Sequence, residues 1–178
     1  DFLNLNEQNI LHTLPKDRLF TRISSFGGYG MAERQMAAFI PDALYLRYGK
    51  SEITPAEAGY PFCAVKIMPL SRKFSEDLTH RDYLGAVLNL GIERSKTGDI
   101  LPYGNDALIF VHQDMTELIC SELIRVRHTS VRAEIVSLTE IDYTPKYEEI
   151  RGTVASVRLD SLLSVAFFSY RTKLTGLI

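Results

Sequence analysis

Cysteine is scarce in this sequence, and the two that are present are poorly placed for cross-linking. Cys63 and Cys120 are far apart, and neither belongs to a C-x-x-C pair or stands at metal-ligand spacing from a histidine. This usage argues against a disulfide framework and a zinc site, and favours two buried, reduced thiols. We therefore expect the protein to work in a reducing, cytoplasmic compartment.

Long apolar runs are missing as well. No segment approaches the roughly 18 consecutive apolar residues of a membrane helix, and no charged-then-apolar leader opens the chain. We expect no membrane partner. The chain begins at Asp1 without an initiator methionine, so we interpret it as part of a longer protein. Its 178 residues, 46% hydrophobic and 24% charged, predict one large globular domain or two small ones.

A strong excess of positive charge is the third absence. The net charge of −2 argues against a strongly basic nucleic-acid binder. The charge is unevenly spread, however. Residues 1–150 contain 16 Lys and Arg against 21 Asp and Glu, whereas residues 151–178 contain 4 against 1. The end of the chain therefore differs in electrostatic character from the rest.

No assembled catalytic site is visible in the sequence. His80-Arg81-Asp82 resembles the start of a kinase catalytic loop, but Asn89 stands too far after Asp82, and no DFG segment accompanies it. The glycine-rich residues 26–30 lack the P-loop pattern, no G-x-S-x-G elbow occurs, and the four histidines show no metal-ligand spacing. We expect a non-enzymatic protein with no cofactor, no metal and no small-molecule substrate.

The first 61 residues predict a small subdomain of helix and strands. Residues 49–61, with two glycines and two prolines, are interpreted as a loop that ends it. Within it we predict a short amphipathic helix (5–14) that Pro15 ends, and two strands (18–24 and 34–40) around the glycine-rich turn (26–30).

Helix signals recur in the next part of the chain. Thr79 and Asp82 form a capping box ahead of apolar residues at helical spacing, and Gly91 stands where a helix commonly ends. Gly85 inside this helix costs roughly 1 kcal/mol relative to alanine, which suggests close approach of another backbone or of RNA. A second capping box, Asp114 with Glu117, predicts where the next helix starts.

Strand signals alternate with these helices. The pair Gly104-Asn105 is a two-residue hairpin signal between two strand-like runs. The resulting order over residues 62–138 is β-α-β-β-α-β, the split arrangement of a ferredoxin-like, RNA-recognition-like domain of the α+β class. The predicted strands are 62–70, 97–103, 106–112 and 131–138.

The remaining residues predict a linker and the start of another domain. Residues 139–157 contain Pro145 and mixed charges, and are interpreted as a linker with a short strand near 152–157. From Arg158 onward the apolar spacing predicts a small helix, followed by a second helix from Tyr170.

Cations that could neutralise RNA phosphates gather around the ferredoxin-like unit. Its strand 106–112 offers only Phe110 in a place compatible with the aromatic RNP1 signature, so we do not expect a typical base-stacking sheet. The candidate RNA contacts are Arg125, Arg127, His128 and Arg132 at a helix-to-strand junction, Arg94 and Lys96 after the first helix, and His80 and Arg81 in that helix's exposed first turn.

Residues 80–100 closely resemble the signature block of YlmH proteins, bacterial RNA-binding proteins encoded beside cell-division genes. Phe26-Gly27-Gly28-Tyr29 followed by Ala32-Glu33-Arg34 resembles the family's upstream F-G-G-Y…A-E-R segment. Arg158-Leu159-Asp160 and Tyr170-Arg171-Thr172-Lys173 resemble the start of the family's C-terminal S-four domain, although Tyr170 stands where the family usually has serine. The chain stops before the later G-x-V-x-V-N-G-like portion, so we expect an incomplete S-four domain over 158–178.

The resemblance implies an RNA-binding factor in ribosome-associated quality control. Such proteins bind a large ribosomal subunit obstructed by peptidyl-tRNA, which makes rRNA, tRNA and that subunit the expected partners. In S-four domains a basic helix pair grips structured RNA, which here implies contacts from Arg158, Arg171 and Lys173. Two other functions stay open: an RNA-modifying enzyme, since S-four domains also accompany pseudouridine synthases, and a protein-interaction factor for cell division.

Overall fold

A computed structural model describes residues 1–15, 19–49, 52–138, 141, 149–154 and 156–167. The chain divides into two compact units, residues 1–143 and residues 144–178. No helix in these ranges is both long and apolar enough to cross a membrane.

The first unit opens with short helices and a strand pair. Helix α1 begins after Asn4, which forms a capping box with Glu7. The two strands pair antiparallel along their whole length, with Phe26 opposite Met36. The elements are α1 (Leu5–His12), β1 (Arg22–Phe26), β2 (Met36–Ile40), α2 (Asp42–Tyr48) and α3 (Pro55–Ala58).

The rest of the first unit is a five-stranded antiparallel sheet with two helices. Its elements are β3 (Phe62–Pro69), α4 (His80–Asn89), β4 (Thr97–Tyr103), β5 (Asp106–His112), α5 (Thr116–Glu122), β6 (Arg125–Val126) and β7 (Thr129–Val136). The strand order is β4-β5-β3-β7-β6, with every neighbouring pair antiparallel. Strand β5 thus lies between β3 and β4, which α4 connects. This arrangement confirms the predicted ferredoxin-like α+β fold; β6 is an additional edge strand.

The helices cover one face of the sheet. Because successive strand residues point to opposite faces, alternate residues of β3 and β5 face α4 and α5. Tyr83 and Val87 of α4 and Ile119 of α5 are fully buried against that face. The sheet contributes Val65, Ile67, Ile100, Ala107, Ile109, Val111 and Val131 to the same core.

The N-terminal segment covers part of the opposite face. Phe2, Met36 and Tyr29 pack with Phe62 and Phe110 in a second apolar core. The ring of Tyr29 stacks on Phe110 with centroids 5.7 Å apart. Gly28 has φ +107°, and a Cβ there would lie 2.1 Å from a ring carbon of Phe110, so only glycine fits this close approach. Phe110 is therefore fully buried, in agreement with the expectation that the sheet is no typical base-stacking platform.

Several predicted elements differ from the observed ones. The second capping box is absent, because α5 starts at Thr116 after a 3-10 turn and has no side-chain cap. In its place the imidazole of His112 accepts a hydrogen bond from the Asp114 amide. Residues 49–61 contain helix α3 and are therefore not entirely the predicted loop. Helix α2, which precedes them, was not predicted, although Pro41 before it and Gly49 after it are typical helix-boundary residues.

The second unit contains one described helix, α6 (Leu159–Ala166). Its position confirms the small helix expected from Arg158 onward, and Arg158 is its N-cap residue. The predicted strand near 152–157 is not observed in the described residues 149–154 and 156–157. The helix predicted from Tyr170 lies outside the described residues.

Candidate nucleic-acid interface

The first turn of α4 fixes the middle of the candidate interface. The Asp82 carboxylate accepts hydrogen bonds from the Thr79 amide at 2.8 Å and the Thr79 hydroxyl at 2.7 Å. The predicted capping box is therefore confirmed, and these bonds hold the pKa of Asp82 below its ordinary value. The same carboxylate lies 3.5 Å from the guanidinium of Arg127, so it orients a cation as well as the helix. His80 and Arg81 follow in the exposed first turn.

The turn between β6 and β7 carries the next group of cations. Arg127 has φ 51°, a left-handed conformation that is uncommon for arginine and that places Arg127 and His128 in a tight hairpin. The Arg125 guanidinium donates to the Arg127 carbonyl oxygen at 2.7 Å and lies 3.4 Å from the His128 ring. The turn thereby gathers three basic side chains on a short, constrained segment.

The loop after β3 brings cations that the sequence reasoning did not single out. The Arg72 side chain is 76% exposed, and Phe74 is 77% exposed. The Lys73 ammonium lies 5.6 Å from the centre of the Phe74 ring. Arg72 also pairs with Asp106 at 3.5 Å. Arg72-Lys73 is the only adjacent pair of Lys or Arg in the sequence, and it directly precedes the aromatic residue Phe74. This pattern is a sequence signal from which the loop could have been predicted as a candidate RNA contact.

Hydrogen bonds hold these segments next to one another. The Leu70 amide donates to the Ser130 carbonyl at 2.9 Å, and the Glu76 amide donates to the Thr129 hydroxyl at 3.1 Å. Arg132 is exposed on β7, opposite Met68. We call the resulting surface the basic end: Arg72, Lys73, His80, Arg81, Arg125, Arg127, His128 and Arg132.

Basic character is local to this surface. Residues 62–138 contain nine Lys and Arg against ten Asp and Glu, so the sheet domain as a whole has no excess of cations. Acidic groups adjoin the basic end: Asp82 and Asp106 each pair with an arginine, and Asp106 also pairs with Lys66. The Glu76 carboxylate accepts a hydrogen bond from the His128 amide. The arrangement therefore suits contacts with a few phosphates and does not suit indiscriminate binding to polyanions.

The predicted contacts Arg94 and Lys96 lie at the opposite end of the sheet, beside the start of β4. The half-buried Arg94 guanidinium donates to the carbonyls of Thr97 at 2.7 Å and Gly98 at 3.1 Å. Burial lowers its pKa, and the neighbouring Arg34 lowers it further. Lys96 pairs with Asp1 at 2.6 Å. The structure does not bring these two residues to the basic end.

The end of the sheet beside the start of β4 also contains a contact between residues 26–34 and residues 80–100, two of the segments that resemble the family. The buried Asp99 carboxylate accepts hydrogen bonds from the Tyr29 hydroxyl at 2.9 Å and from the amides of Glu33 at 2.7 Å and Arg34 at 3.0 Å. Arg34 in turn donates to the Thr97 carbonyl at 2.9 Å. Both segments are therefore fixed to each other by a buried polar network.

The remaining predicted contacts belong to the second unit. Arg158 is exposed at the start of α6. Arg171 and Lys173 lie outside the described residues. Within the described ranges, no group of three or more His, Cys, Asp or Glu side chains could hold a metal ion.

Comparisons with known proteins agree with this geometry. Residues 55–140 match the family described as "Putative RNA-binding domain in YlmH". "Ribosome-associated protein quality control protein P2" of Bacillus subtilis is 29% identical over 163 residues, which are 91% of this chain. The match spans only 59% of that relative's length.

A solved structure supports the same assignment. "Cell division protein ylmH from Streptococcus pneumoniae" is 30% identical, with a TM-score of 0.58 and 78% of each chain covered. The matched region includes enough of both chains to identify the family and not only the fold. This chain belongs to the YlmH family.

Proposed function

We propose that the protein is a non-enzymatic RNA-binding factor that works on the ribosome and contacts RNA through its basic end. The observation that carries this proposal is the convergence of cations from three separate segments on one end of the sheet. The loop after β3, the first turn of α4 and the β6–β7 turn each contribute at least two basic side chains. That end lies within residues 55–140, the part that matches an RNA-binding domain.

Phosphate neutralisation supplies most of the affinity in this proposal. The buried position of Phe110 under Tyr29 removes the usual aromatic contact of an RNA-recognition sheet. Exposed Phe74 and the planar guanidinium groups are the side chains on which unpaired bases can stack. Recognition then depends on the loops at the end of the sheet.

The finer proposal is a role in ribosome-associated quality control in the cytoplasm. It rests on similarity to the Bacillus subtilis ribosome-associated quality control protein, of whose length this chain spans 59%. We propose that the RNA surfaces are large-subunit rRNA and peptidyl-tRNA. A start of an S-four domain over residues 158–178, with Arg158, Arg171 and Lys173, would provide a second RNA contact in addition to that of the ferredoxin-like domain.

Binding of tRNA and of isolated large ribosomal subunits, measured across a salt series, tests the proposal. We expect the logarithm of the association constant to fall linearly with the logarithm of salt concentration. Arg72→Ala combined with Lys73→Ala should weaken binding by about tenfold and reduce the salt slope by roughly 2. Arg47→Ala, which removes an exposed arginine of α2, is the matched control and should change neither quantity. Absent binding, or binding without salt dependence, contradicts the proposal.

A protein-interaction role in cell division is the second candidate, favoured by the name of the Streptococcus pneumoniae protein. Pull-down from lysate treated with RNase separates the two functions. Partners held through RNA should be lost after the treatment, whereas a direct division partner should be retained.

A further inference from the structure

A groove of about 530 Å³ runs beside the basic end, between α4 and the segment from the end of α5 through β6. Gly85 and Ala86 of α4 form the part of the lining that we call the floor, and a Cβ at Gly85 would meet no atom within 4 Å outside its own stretch of helix. Among the described residues, no other backbone approaches this glycine, so its place in the helix leaves open space. The groove is lined by Arg81, Asp82, Gly85, Ala86, Asn89, Leu90, Glu122, Leu123, Ile124, Arg125 and Arg127.

Three guanidinium groups line the groove, with Arg81 on the α4 side and Arg125 and Arg127 on the side of β6 and its turn. Arg127 is held by Asp82 at 3.5 Å, and Arg125 is held by the Arg127 carbonyl at 2.7 Å, while Arg81 is exposed on the first turn of α4. The Arg127 guanidinium contacts Asp82 through Nη1, so its other donors can meet an incoming anion. Fixed guanidinium groups favour phosphate, because their planar donors match its oxygens.

The floor has a different chemistry. Gly85 and Ala86 carry no bulky side chain, and Ile124, which also lines the groove, keeps 70% of its surface exposed. Asn89 and Glu122 supply hydrogen-bonding groups among the lining residues. A volume of this size lies within the range of small-molecule sites, roughly 300–1,000 Å³.

We propose that this groove holds one unpaired nucleotide of a single-stranded RNA segment. The phosphate lies against Arg81, Arg125 and Arg127, and the base lies flat on the floor over Gly85. This inference deepens the proposed RNA-binding function and rests on it. The three arginines of the lining outnumber the carboxylates of Asp82 and Glu122, so charge complementarity selects RNA over a neutral peptide. The open floor at Gly85 selects a planar group over a bulky side chain.

The test uses the full chain and two labelled probes, an oligouridylate about eight nucleotides long and an abasic ribose-phosphate oligomer of equal length. Both probes carry the same charge, so their difference reports the bases. Gly85→Leu fills the groove without changing charge and leaves the helix intact, since no atom lies within 4 Å. Ser121→Leu places the same side chain on an exposed position of α5 outside the lining, as the matched control.

We expect wild-type protein to bind oligouridylate roughly tenfold more tightly than the abasic probe. Gly85→Leu should lose about that factor for oligouridylate, keep the salt slope, and leave the abasic probe unaffected. Arg125→Ala should weaken both probes and lower the salt slope by roughly 1. Ser121→Leu should behave as wild type.

Equal binding of oligouridylate by wild type and Gly85→Leu overturns the inference while leaving RNA binding at the basic end intact. Failure of the wild-type protein to bind either probe overturns both. A labelled oligoglutamate provides the remaining outcome. If Gly85→Leu abolishes its binding and spares oligouridylate, the groove takes an acidic peptide and the inference is wrong.

Discussion

The two ends of the sheet place the same residue type in different environments. At the end beside the start of β4, Arg34 and Arg94 point their guanidinium groups at backbone carbonyls and are half-buried. At the basic end, Arg72, Arg81 and Arg125 are exposed. An arginine in a recognisable family block is therefore no evidence of RNA contact by itself. Burial separates the two groups, because Arg125 also donates to a carbonyl, that of Arg127, and yet is exposed.

The largest effect is expected at the internal end. Asp99→Ala removes the acceptor of three buried or half-buried donors from Tyr29, Glu33 and Arg34. We expect a loss of about 3–5 kcal/mol in the free energy of unfolding, because donors left unpaired in the interior are costly. Urea unfolding measures it. Asp114→Ala, at an exposed carboxylate, is the control and should cost under about 0.5 kcal/mol; equal losses for both variants would contradict a special role for Asp99.

Gly28→Ala should disrupt the packing of the N-terminal segment on Phe110 of the sheet. The new methyl would collide with Phe110 at a positive φ, so we expect a cost of about 2–3 kcal/mol in unfolding free energy. Gly30→Ala is the matched control, since a Cβ there meets nothing within 4 Å. Thermal unfolding of both variants distinguishes a steric requirement from a general preference for glycine in this turn.

Replacing one arginine by alanine at each end of the sheet sharpens the comparison between the two ends. Arg94→Ala should destabilise the fold by about 1–3 kcal/mol, because two carbonyl contacts are lost, and should change RNA affinity little in the folded protein. Arg125→Ala should do the reverse, with affinity falling about threefold to tenfold and stability nearly unchanged. A fall in RNA affinity for Arg94→Ala as large as for Arg125→Ala would mean that the two ends do not differ in function.

The smallest expected effect concerns pH. Hydrogen bonds from Thr79 hold the pKa of Asp82 below its ordinary value in the folded state. The stabilisation that Asp82 gives to α4 is therefore fully present above about pH 4, the unfolded value, and is lost as pH falls through the lower folded pKa. Amide exchange in the first turn of α4 should accelerate over that acidic range. Asp82→Asn should remove this dependence, and an unaltered acid profile would show that another carboxylate causes it.

Local signals explain which elements could be predicted from the sequence. The box Thr79–Asp82 and the hairpin turn Gly104-Asn105 each involve residues a few positions apart, and both occur where expected. The Asp99 network joins residues separated by up to 70 positions, so no window of sequence contains it. The β6–β7 turn was missed for another reason: its left-handed residue is Arg127, and arginine gives no turn signal.

Some residues of the candidate site could likewise be predicted from local sequence, and others could not. His80, Arg81, Arg125, Arg127, His128 and Arg132 were named from their local pattern, and the structure places them at one end of the sheet. Arg72 and Lys73 join them only because β3 leads the chain to the same end. Charge counts could not separate Arg94 from Arg125, because burial is a property of the folded chain.

The Tyr29–Phe110 stack has a consequence for how this protein can be divided experimentally. Sequence similarity to the RNA-binding domain begins at residue 55, yet the first compact unit extends from residue 1 to 143. A fragment cut at that similarity boundary would lose Phe2, Tyr29 and Met36 and present Phe62 and Phe110 to water as an apolar patch. Such a fragment should self-associate. The shortest piece suitable for RNA measurements therefore starts at the first residue of this chain.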